Sequence, residues 1–361
     1  MTRPRNYALA ATSLIALCGV AAAQNATPST AAPAAANATT AAAKPGKAWV
    51  APGTEGSEID GKIFHAQILL SVAGFSTSVI DGKDGMVFKK AVRGFQEARG
   101  LPVTGELDRN TGMQLLAGAR PSTIQVKLTR EDISGDYLYP FPKEPEDQAK
   151  LKQLSYRNMI EEVAERYHTT PATLIALNGP TALIGIGQTL RLPNVVPTAR
   201  DYAGNLKPEH KALFAKLNVD SNQPVGDNVI VDKSEGVLKV MDKSGKLVAQ
   251  FPVTMGSKQY PLPLGTWKAT TYAFMPPFHY QPALLKDADK SDDDQQLPPG
   301  PNGPVGVAWL DLTKEHYGIH GTPEPSTIGR AESSGCIRLT NWDVLRLSQM
   351  LKPGFTAVFQ A

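Results

Sequence analysis

One cysteine and one histidine near the end of this 361-residue sequence have the residue types and surroundings of a nucleophile and its base. Cys336 follows Ser-Ser-Gly, and His320 lies sixteen positions earlier and is followed by Gly321. A free thiol is a weak nucleophile at neutral pH because only a few per cent of it is ionised, and an adjacent imidazole can remove its proton. Glycines beside both residues permit tight turns and a close approach of a substrate to the backbone. The pair therefore predicts thiol-based nucleophilic catalysis with His320 as the base.

The N-terminal residues have the pattern of a secretory signal peptide, which we predict at residues 1–23. Arg3 and Arg5 precede an uncharged run from residue 8 to residue 20, and three alanines stand before Gln24. The run is shorter than the roughly 20 apolar residues that a membrane-spanning helix needs, and no later stretch is long enough. We therefore expect secretion across the inner membrane and no transmembrane segment.

Removal of this signal would leave a single thiol in the chain. The other cysteine, Cys18, lies inside the signal. Cys336 would then be unpaired in an oxidising compartment, where cysteines usually form disulfides. A buried, inert cysteine is the alternative interpretation, and the neighbouring glycine and upstream histidine favour a reactive thiol.

Composition limits the partners and the number of domains. Lys and Arg number 37 against 34 Asp and Glu, so no overall field attracts nucleic acid, and we expect no nucleic-acid partner. Residues 24–53 are rich in Ala, Thr and Pro, which predicts a disordered linker. The remaining length predicts two or three domains. Because His65, His168 and His210 lack metal-ligand spacing, we expect packing or surface roles for them and neither a metal nor a cofactor.

Residues 54–119 predict a small domain of three helices. The second helix has an apolar stripe with i, i+3, i+4, i+7 spacing, formed by Phe88, Ala91, Val92 and Phe95. The first helix should end at Gly74, and the third should begin after Asp108 and bury Met113 and Leu116. With Asp-Gly, Ala-Val-x-x-Phe-Gln and Gly-Leu-Pro-Val-Thr-Gly in these places, the segment resembles the peptidoglycan-binding domain of wall enzymes. A generic three-helix spacer is the alternative.

Residues 150–196 predict a second small unit with the order βααβ. An apolar helical stripe precedes Thr170 and Pro171, which open a second helix as N-cap and first residue, and the run at 187–193 predicts a strand. This order and the final Leu-Arg-Leu-Pro resemble a LysM module, which binds glycans that contain N-acetylglucosamine. The Gly-Asp-Thr stretch of such modules is replaced by Ser-Tyr-Arg-Asn at 155–158.

The C-terminal part, residues 222–361, changes to short β-rich runs separated by turns. Strands are predicted at 228–231, 237–241, 246–254, 266–272 and 356–359. Asn341 is expected to cap a helix in which Val344, Leu347 and Leu351 face the core. The predicted fold class of the whole chain is multidomain α+β, with a mostly β, sandwich-like C-terminal domain.

Four motifs in this part resemble, in their order, the catalytic domain of L,D-transpeptidases of the YkuD type. They are Pro-Leu-Gly-Thr-Trp from residue 263, Pro-Val-Gly from residue 304, Tyr-Gly-Ile-His-Gly-Thr from residue 317 and Ser-x-Gly-Cys-Ile-Arg-Leu from residue 333. The resemblance implies that Cys336 is the nucleophile and His320 the general base and acid. It also implies that the backbone carbonyl of Gly321 orients the imidazole.

The same resemblance implies how the surroundings of the nucleophile take part. Arg338 matches an arginine of the family and, as a planar donor, suits a substrate carboxylate. Ser334 stands where many members have a histidine, so the base role falls on His320 alone. We expect Ser334, Gly335, Arg338 and Tyr317 to bind substrate or stabilise the oxyanion, with backbone N–H groups near the Gly-Cys pair as donors.

The implied reaction is acyl transfer in the bacterial cell wall. The thiol attacks the amide after the diamino acid of a peptidoglycan tetrapeptide stem, releases the terminal D-alanine and leaves a thioester. An amine of another stem then gives a 3→3 cross-link, a lysine of an envelope protein gives anchoring, and water gives a carboxypeptidase or hydrolase. The expected partners are stem peptides and glycan strands, in the periplasm and at the wall. A non-catalytic murein-binding protein is the competing class.

An acidic, proline-containing segment at residues 286–306, which includes Asp287, interrupts the C-terminal domain. A solvated loop is one interpretation of it, and a lid over the Cys336 groove is the other. His279 and His316 lie near enough in sequence to line the groove, and we expect structural roles for both.

Overall fold

The computed structural model describes residues 48–133, 135–286 and 288–361. The predicted signal peptide, residues 24–47 of the predicted linker and Asp287 lie outside the described residues. Within the part that is described, no helix combines the length and the apolar character needed to cross a membrane.

Three helices open the described chain, and side chains cap the first and the third of them. They are α1 (Gly61–Val72), α2 (Met86–Ala98) and α3 (Arg109–Leu116). The Asp60 carboxylate accepts the N–H groups of Lys62 and Ile63 at the start of α1, and the Asp108 carboxylate accepts the Thr111 N–H at the start of α3. Each cap satisfies N–H groups that have no partner within the helix. The predicted start of α3 is therefore confirmed.

The apolar stripe of α2 forms the core of this helical domain, because all four of its predicted members are buried. The prediction for α3 was wrong. Met113 and Leu116 are 54% and 52% exposed, whereas Thr111 and Leu115 are buried. The short helix packs on α1, and its two buried residues share one face because they are four positions apart.

A unit with the order βααβ follows the helical domain. Its elements are β1 (Thr123–Lys127), α5 (Met159–Arg166), α6 (Pro171–Asn178) and β2 (Thr189–Pro193), and the connection from β1 to α5 contains a separate short helix, α4 (Pro145–Ala149). β1 and β2 pair antiparallel, with Thr123 opposite Pro193. The predicted range 150–196 therefore leaves out the first strand of this unit. Thr170 caps α6 and Pro171 is its first residue, as predicted.

The C-terminal part of the described chain contains helix α7 (Pro208–Lys216) and one nine-stranded sheet. From edge to edge the strands are β5 (Leu247–Pro252), β4 (Val237–Met241), β3 (Asn228–Asp232), β13 (Thr356–Gln360), β7 (Gly265–Phe274), β10 (Ala308–Leu312), β11 (Gly318–His320), β12 (Ile337–Arg338) and β6 (Thr254–Met255). Neighbours are antiparallel except β13 with β3 and β11 with β12. The predicted strands and the mostly β character of this domain are confirmed.

Helix α8 (Asn341–Met350) packs its apolar side into the core of the sheet, and its three predicted core residues are buried. The predicted N-cap was wrong by one residue. Thr340 caps α8, because its hydroxyl accepts the Asp343 N–H at 3.2 Å and its backbone is extended. Asn341 is the first helical residue, and its side chain is fully buried.

Buried polar contacts join the helical domain to α8, and residues 48–361 form one compact unit. The Ser76 hydroxyl donates to the Asp343 carboxylate at 2.6 Å. Arg346 donates to the Ser71 carbonyl at 2.8 Å and pairs with Asp343 at 3.2 Å. A buried charge is costly unless it is paired and hydrogen-bonded. Since Ser76 and Ser71 of the helical domain are partners of the buried charges on α8, separating the two parts would leave those charges with fewer partners.

The βααβ unit meets the same helix through a buried histidine. His168 stacks on Trp342 with ring centroids 4.9 Å apart and 7° between the planes. Its Nε2 lies 2.7 Å from the Leu217 carbonyl oxygen, to which it must donate. The predicted packing role of His168 is therefore confirmed.

The segment 286–306 is partly built into the fold. Strand β9 (Gln295–Leu297) pairs antiparallel with β8 (Phe278–Tyr280) to form a hairpin. Leu297 is buried against Leu154 and Tyr280, and the Pro299 carbonyl accepts the Leu154 N–H at 2.9 Å. The second half of the segment is thus anchored to the chain before α5.

We expect Ser76→Ala to lower the free energy of unfolding by about 1–3 kcal/mol, because buried Asp343 would lose a hydrogen-bond donor. Urea unfolding measures the change. Ser244→Ala is the matched control, since it removes a 2.6 Å bond from Ser244 to Asp242 in an exposed turn, and its effect should stay within about 0.5 kcal/mol. Equal effects of the two substitutions would contradict a tie between the two parts.

Burial lowers the pKa of His168 to about 3, against the hydrogen bond to Leu217, which raises it. An unfolded chain has a histidine pKa of about 6.5, so below that pH it binds a proton that the folded chain does not. Stability should therefore be lost as the pH falls from about 6.5 towards 3, by up to about 1.4 kcal/mol per pH unit. We expect His168→Gln to make this dependence shallower in urea unfolding across that range. Parallel curves for the variant and the wild type would show the account to be wrong.

Candidate functional site

Two short parallel strands bring the predicted nucleophile and base together. β11 ends at His320, β12 begins directly after Cys336, and the strands pair with His320 opposite Arg338. Extending this register by one step places Cys336 beside Gly318. Since side chains alternate along a strand, positions 318, 320, 336 and 338 belong to one face of the sheet. His320 and Cys336 therefore share a face, two positions apart on neighbouring strands.

The imidazole of His320 is buried and held in one orientation. Its Nδ1 lies 2.7 Å from the Gly321 carbonyl oxygen. A carbonyl can only accept, so Nδ1 carries the proton and Nε2 keeps its lone pair. Trp309 stacks on the ring, with centroids 5.2 Å apart and 18° between the planes. The Gly321 carbonyl is thus the hydrogen-bond partner of this ring nitrogen, and the orienting role that the family resemblance implies for it stays a prediction.

Burial is the main reason why this imidazole is neutral. Burial and then the positive charge of Arg338 lower the pKa of His320 to about 3, against the hydrogen bond to Gly321, which raises it. The lone pair on Nε2 therefore stays free throughout the neutral pH range, and it is the atom that would receive a proton from the thiol during an attack.

The thiol of Cys336 is partly exposed, and its sulfur lies 3.6 Å from the His316 carbonyl oxygen. Burial raises the pKa of this thiol, while a hydrogen bond from the Gly318 backbone and the charge of Arg338 oppose the rise. The resting site therefore contains a neutral thiol and a neutral imidazole. Such a thiol needs a base at the moment when it attacks.

The turn before the nucleophile is built by Ser333, to which the sequence predictions gave no role of its own. Its hydroxyl donates to the Cys336 carbonyl at 2.7 Å and accepts the Gly335 N–H at 3.2 Å. Its own N–H donates to the Gly256 carbonyl at 3.1 Å. A serine two or three residues before a turn commonly bonds the backbone in this way, so the Ser-x-Gly-Cys spacing was a usable signal. Gly335 has a φ of 108°, and a Cβ there would lie 2.5 Å from the Tyr317 ring.

Ser334 and Gly335 lie in this turn, and existing hydrogen bonds limit what they can do. The Gly335 N–H is already donated to the Ser333 hydroxyl. The Ser334 hydroxyl accepts the Lys286 N–H at 2.8 Å, and the Lys286 side chain pairs with Glu332. The start of segment 286–306 therefore lies against the turn that carries the nucleophile, and its action as a lid stays a prediction.

Arg338 and Tyr317 flank the pair. Arg338 lies opposite His320. Its charge adds to the effect of burial in lowering the pKa of His320, and it offsets part of the rise that burial causes in the pKa of the Cys336 thiol. The Tyr317 ring packs against Gly335, and burial, followed by the charge of an ionised Cys336, raises the pKa of its hydroxyl. Contacts of both side chains with a substrate stay predictions.

The buried side chain of Asn341 accounts for the need for glycine at two positions of the motifs, Gly306 and Gly321. Its side-chain oxygen accepts the Val307 N–H at 3.1 Å. A Cβ on Gly306 or Gly321 would lie 1.9 or 2.1 Å from the same oxygen. Only glycine at both positions lets the Asn341 carboxamide pack against the strand end that orients His320.

Of the other histidines in the C-terminal and helical parts, two pack against the fold and two have exposed side chains. The His65 ring lies 2.9 Å from a backbone carbonyl, and His210 packs on Phe274 with ring centroids 4.9 Å apart. The side chains of His279 and His316 are exposed, and His316 meets the thiol through its backbone. In the described ranges, no three His, Cys, Asp or Glu side chains are grouped so that they could hold a metal ion.

Comparison with known protein families matches two parts of the chain. Residues 226–359 match the family described as the YkuD L,D-transpeptidase catalytic domain. Residues 61–115 match the family described as "Putative peptidoglycan binding domain". The first range contains every residue predicted for the site, and the second contains α1, α2 and most of α3.

Curated relatives carry related names. The "Putative L,D-transpeptidase YkuD" of Bacillus licheniformis is 57% identical over 56 residues, which cover 16% of this chain and 34% of the relative. The "Putative L,D-transpeptidase YqjB" of Bacillus subtilis is 27% identical over 143 residues, which cover 36% of this chain and 73% of the relative. The chain spans about a third of the length of the first of these relatives.

Among solved structures, an L,D-transpeptidase fragment from Xylanimonas cellulosilytica is 14% identical, with a TM-score of 0.35 over 88% of this chain and 100% of that chain. The family matches confirm two of the resemblances predicted from sequence motifs, and the LysM-like character of the βααβ unit stays a prediction. This chain therefore contains a YkuD-type L,D-transpeptidase catalytic domain at residues 226–359, preceded by a peptidoglycan-binding domain at residues 61–115.

Proposed function

We propose that this chain is a cysteine-dependent L,D-transpeptidase of the bacterial cell wall. The observation that carries the proposal is the placement of Cys336 and a neutral, oriented His320 on one face of two adjacent strands. The family match of the surrounding domain and the names of its relatives support the same activity.

In the first half-reaction the Cys336 sulfur attacks the carbonyl carbon of the amide after the third residue of a tetrapeptide stem. As the C–S bond forms, the thiol proton moves to His320 Nε2, and negative charge develops on the carbonyl oxygen. Backbone N–H groups near the nucleophile stabilise this oxygen. The C–N bond then breaks, the imidazolium returns its proton to the amine of the leaving D-alanine, and a thioester remains.

In the second half-reaction an amine attacks the thioester. His320 takes a proton from the amine, the C–S bond breaks, and the sulfur recovers its proton from the imidazolium. A diamino acid side chain of another stem yields a 3→3 cross-link, and a lysine of an envelope protein yields an anchored protein. Water would yield a tripeptide stem by the same steps.

The remaining parts of the chain fit an enzyme that works on the wall. We assign the peptidoglycan-binding domain at residues 61–115 to attachment to murein, on the family description. The sequence pattern of residues 1–23 supports export to the periplasm. Arg338, on the face that bears the nucleophile, is suited to a carboxylate of the stem.

Cys336→Ala should abolish product formation from disaccharide-tetrapeptides, because no thioester can form. Mass spectrometry of the incubated stems distinguishes cross-linked dimers, which mark a transpeptidase, from tripeptides alone, which mark a carboxypeptidase. His320→Gln should lower the rate by at least about 100-fold, since the attack would lose its general base.

The matched control is His279→Gln, which changes an exposed histidine outside the strand pair and should retain wild-type turnover. Absence of product from the wild type would contradict the proposal and favour a murein-binding protein without catalysis. Release of protein from murein without any dimer would indicate a hydrolase.

The alkylation of Cys336 by iodoacetamide should accelerate with rising pH and show its inflection above the ordinary cysteine value of about 8.5, because burial raises the pKa of the thiol. Intact mass measured over time gives the rate. The same thiol in urea-unfolded protein is the reference and should titrate near the ordinary value. A rate plateau below pH 7 would reveal a preformed thiolate and refute the neutral resting pair.

A further inference from the structure

Asn341 forms a direct link between the βααβ unit and the catalytic strands. Its Nδ2 donates to Glu165 Oε1 at 2.6 Å and to the Pro301 carbonyl at 3.2 Å. Its Oδ1 accepts the Val307 N–H. Glu165 comes from α5 of the βααβ unit and is only 7% exposed. The contact therefore joins two buried side chains from distant parts of the sequence.

Glu165 and Pro301 determine which end of the Asn341 carboxamide faces the catalytic strands. The Pro301 carbonyl can only accept, and so can the ionised Glu165 carboxylate, so the amide nitrogen must point towards them and the oxygen towards Val307. The reversed amide would set its nitrogen against the Val307 N–H and leave the Glu165 oxygen without a donor. Buried polar groups without partners cost about 1–3 kcal/mol each.

The oxygen end of the Asn341 carboxamide packs against Gly321. An ideal Cβ on Gly321 would lie only 2.1 Å from Asn341 Oδ1, so this oxygen occupies the space that a side chain at position 321 would need. Gly321 in turn supplies the carbonyl that accepts from His320 Nδ1. A shift of Asn341 would therefore move or release the backbone group that sets the tautomer and orientation of the imidazole.

We propose that Glu165 is a positioning residue of the catalytic site, which acts through Asn341 on the Gly321 carbonyl and so on His320. The inference rests on the proposed function, because it takes His320 to be the base. It gives the βααβ unit a part in catalysis that does not depend on glycan binding.

The chemistry of Glu165 indicates which substitution preserves this role. Burial raises its pKa to about 7, against hydrogen bonds from Tyr156 and Asn341, which lower it. The neutral and the ionised carboxyl both keep an oxygen for the Asn341 amide. Glutamine keeps that acceptor oxygen as well, whereas methionine has a similar shape and lacks it.

The test compares Glu165→Met with Glu165→Gln in the full chain. The readouts are the rate of Cys336 alkylation by iodoacetamide across pH and kcat for tetrapeptide stems. Glu165→Met should lower both rates at neutral pH by about 10-fold or more, because the base is misplaced, and should leave KM unchanged. Glu165→Gln should remain within about twofold of the wild type.

Glu162→Met is the matched control. Glu162 is buried on the same helix and bonds Tyr137 at 2.6 Å and Lys216 at 2.7 Å, so its loss should lower stability and leave both rates within about twofold. If Glu165→Met does not fold, Asn341→Asp removes the donor from the other side of the contact and should show the same fall in rate.

Equal rates for Glu165→Met and Glu165→Gln would overturn the inference, and so would an equal fall in Glu162→Met. A wild type that turns over no stem would defeat the proposed function instead. In that case a selective fall of the alkylation rate in Glu165→Met would still support the positioning role.

Discussion

A buried histidine can serve as a base only if its tautomer and its orientation are both fixed, and one hydrogen bond does this here. His320 Nδ1 donates to the carbonyl of the next residue, Gly321. No carboxylate is needed for that, so the ring stays neutral in a buried setting where an unpaired charge would be costly. The parallel register of β11 and β12 then sets the distance along the strands between the imidazole and Cys336. The site depends on backbone geometry more than on an ion pair.

The helical domain and the βααβ unit support that backbone geometry through contacts with the start of α8. The start of α8 contains three consecutive residues that reach different parts: Asn341 reaches Glu165, Trp342 stacks on His168, and Asp343 accepts from Ser76. The helical domain and the βααβ unit therefore meet on one helix end that also borders the catalytic strand.

The segment between His320 and Cys336 is contacted by both the helical domain and the residues just before α5. The Ser78 hydroxyl donates to the Pro325 carbonyl at 2.8 Å, and Arg157 pairs with Glu324 at 3.1 Å. Contacts from both accessory parts thus hold this segment, and the proposed catalysis relies on a site that is preorganised in this way. The proposed attachment to murein and the support of the candidate site are compatible roles for the same domains.

The sequence was most informative where a local rule decides the structure. Helix stripes, the caps Asp108 and Thr170, and the order of the catalytic motifs could all be recognised, because they depend on neighbours in sequence. Contacts between distant segments could not. The pairing of β1 with β2, the buried position of Asn341 and its hydrogen bond to Glu165 all depend on how separate elements pack. No pattern of neighbouring residues indicates them.

The state of the His320 ring is the most direct test of this account. Nitrogen-15 NMR of the imidazole reports both its tautomer and its protonation. The account predicts a neutral ring with the proton on Nδ1 from about pH 8 down to about pH 4, because burial lowers the pKa to about 3. A ring that gains a proton near pH 6.5, or that carries its single proton on Nε2, would contradict it.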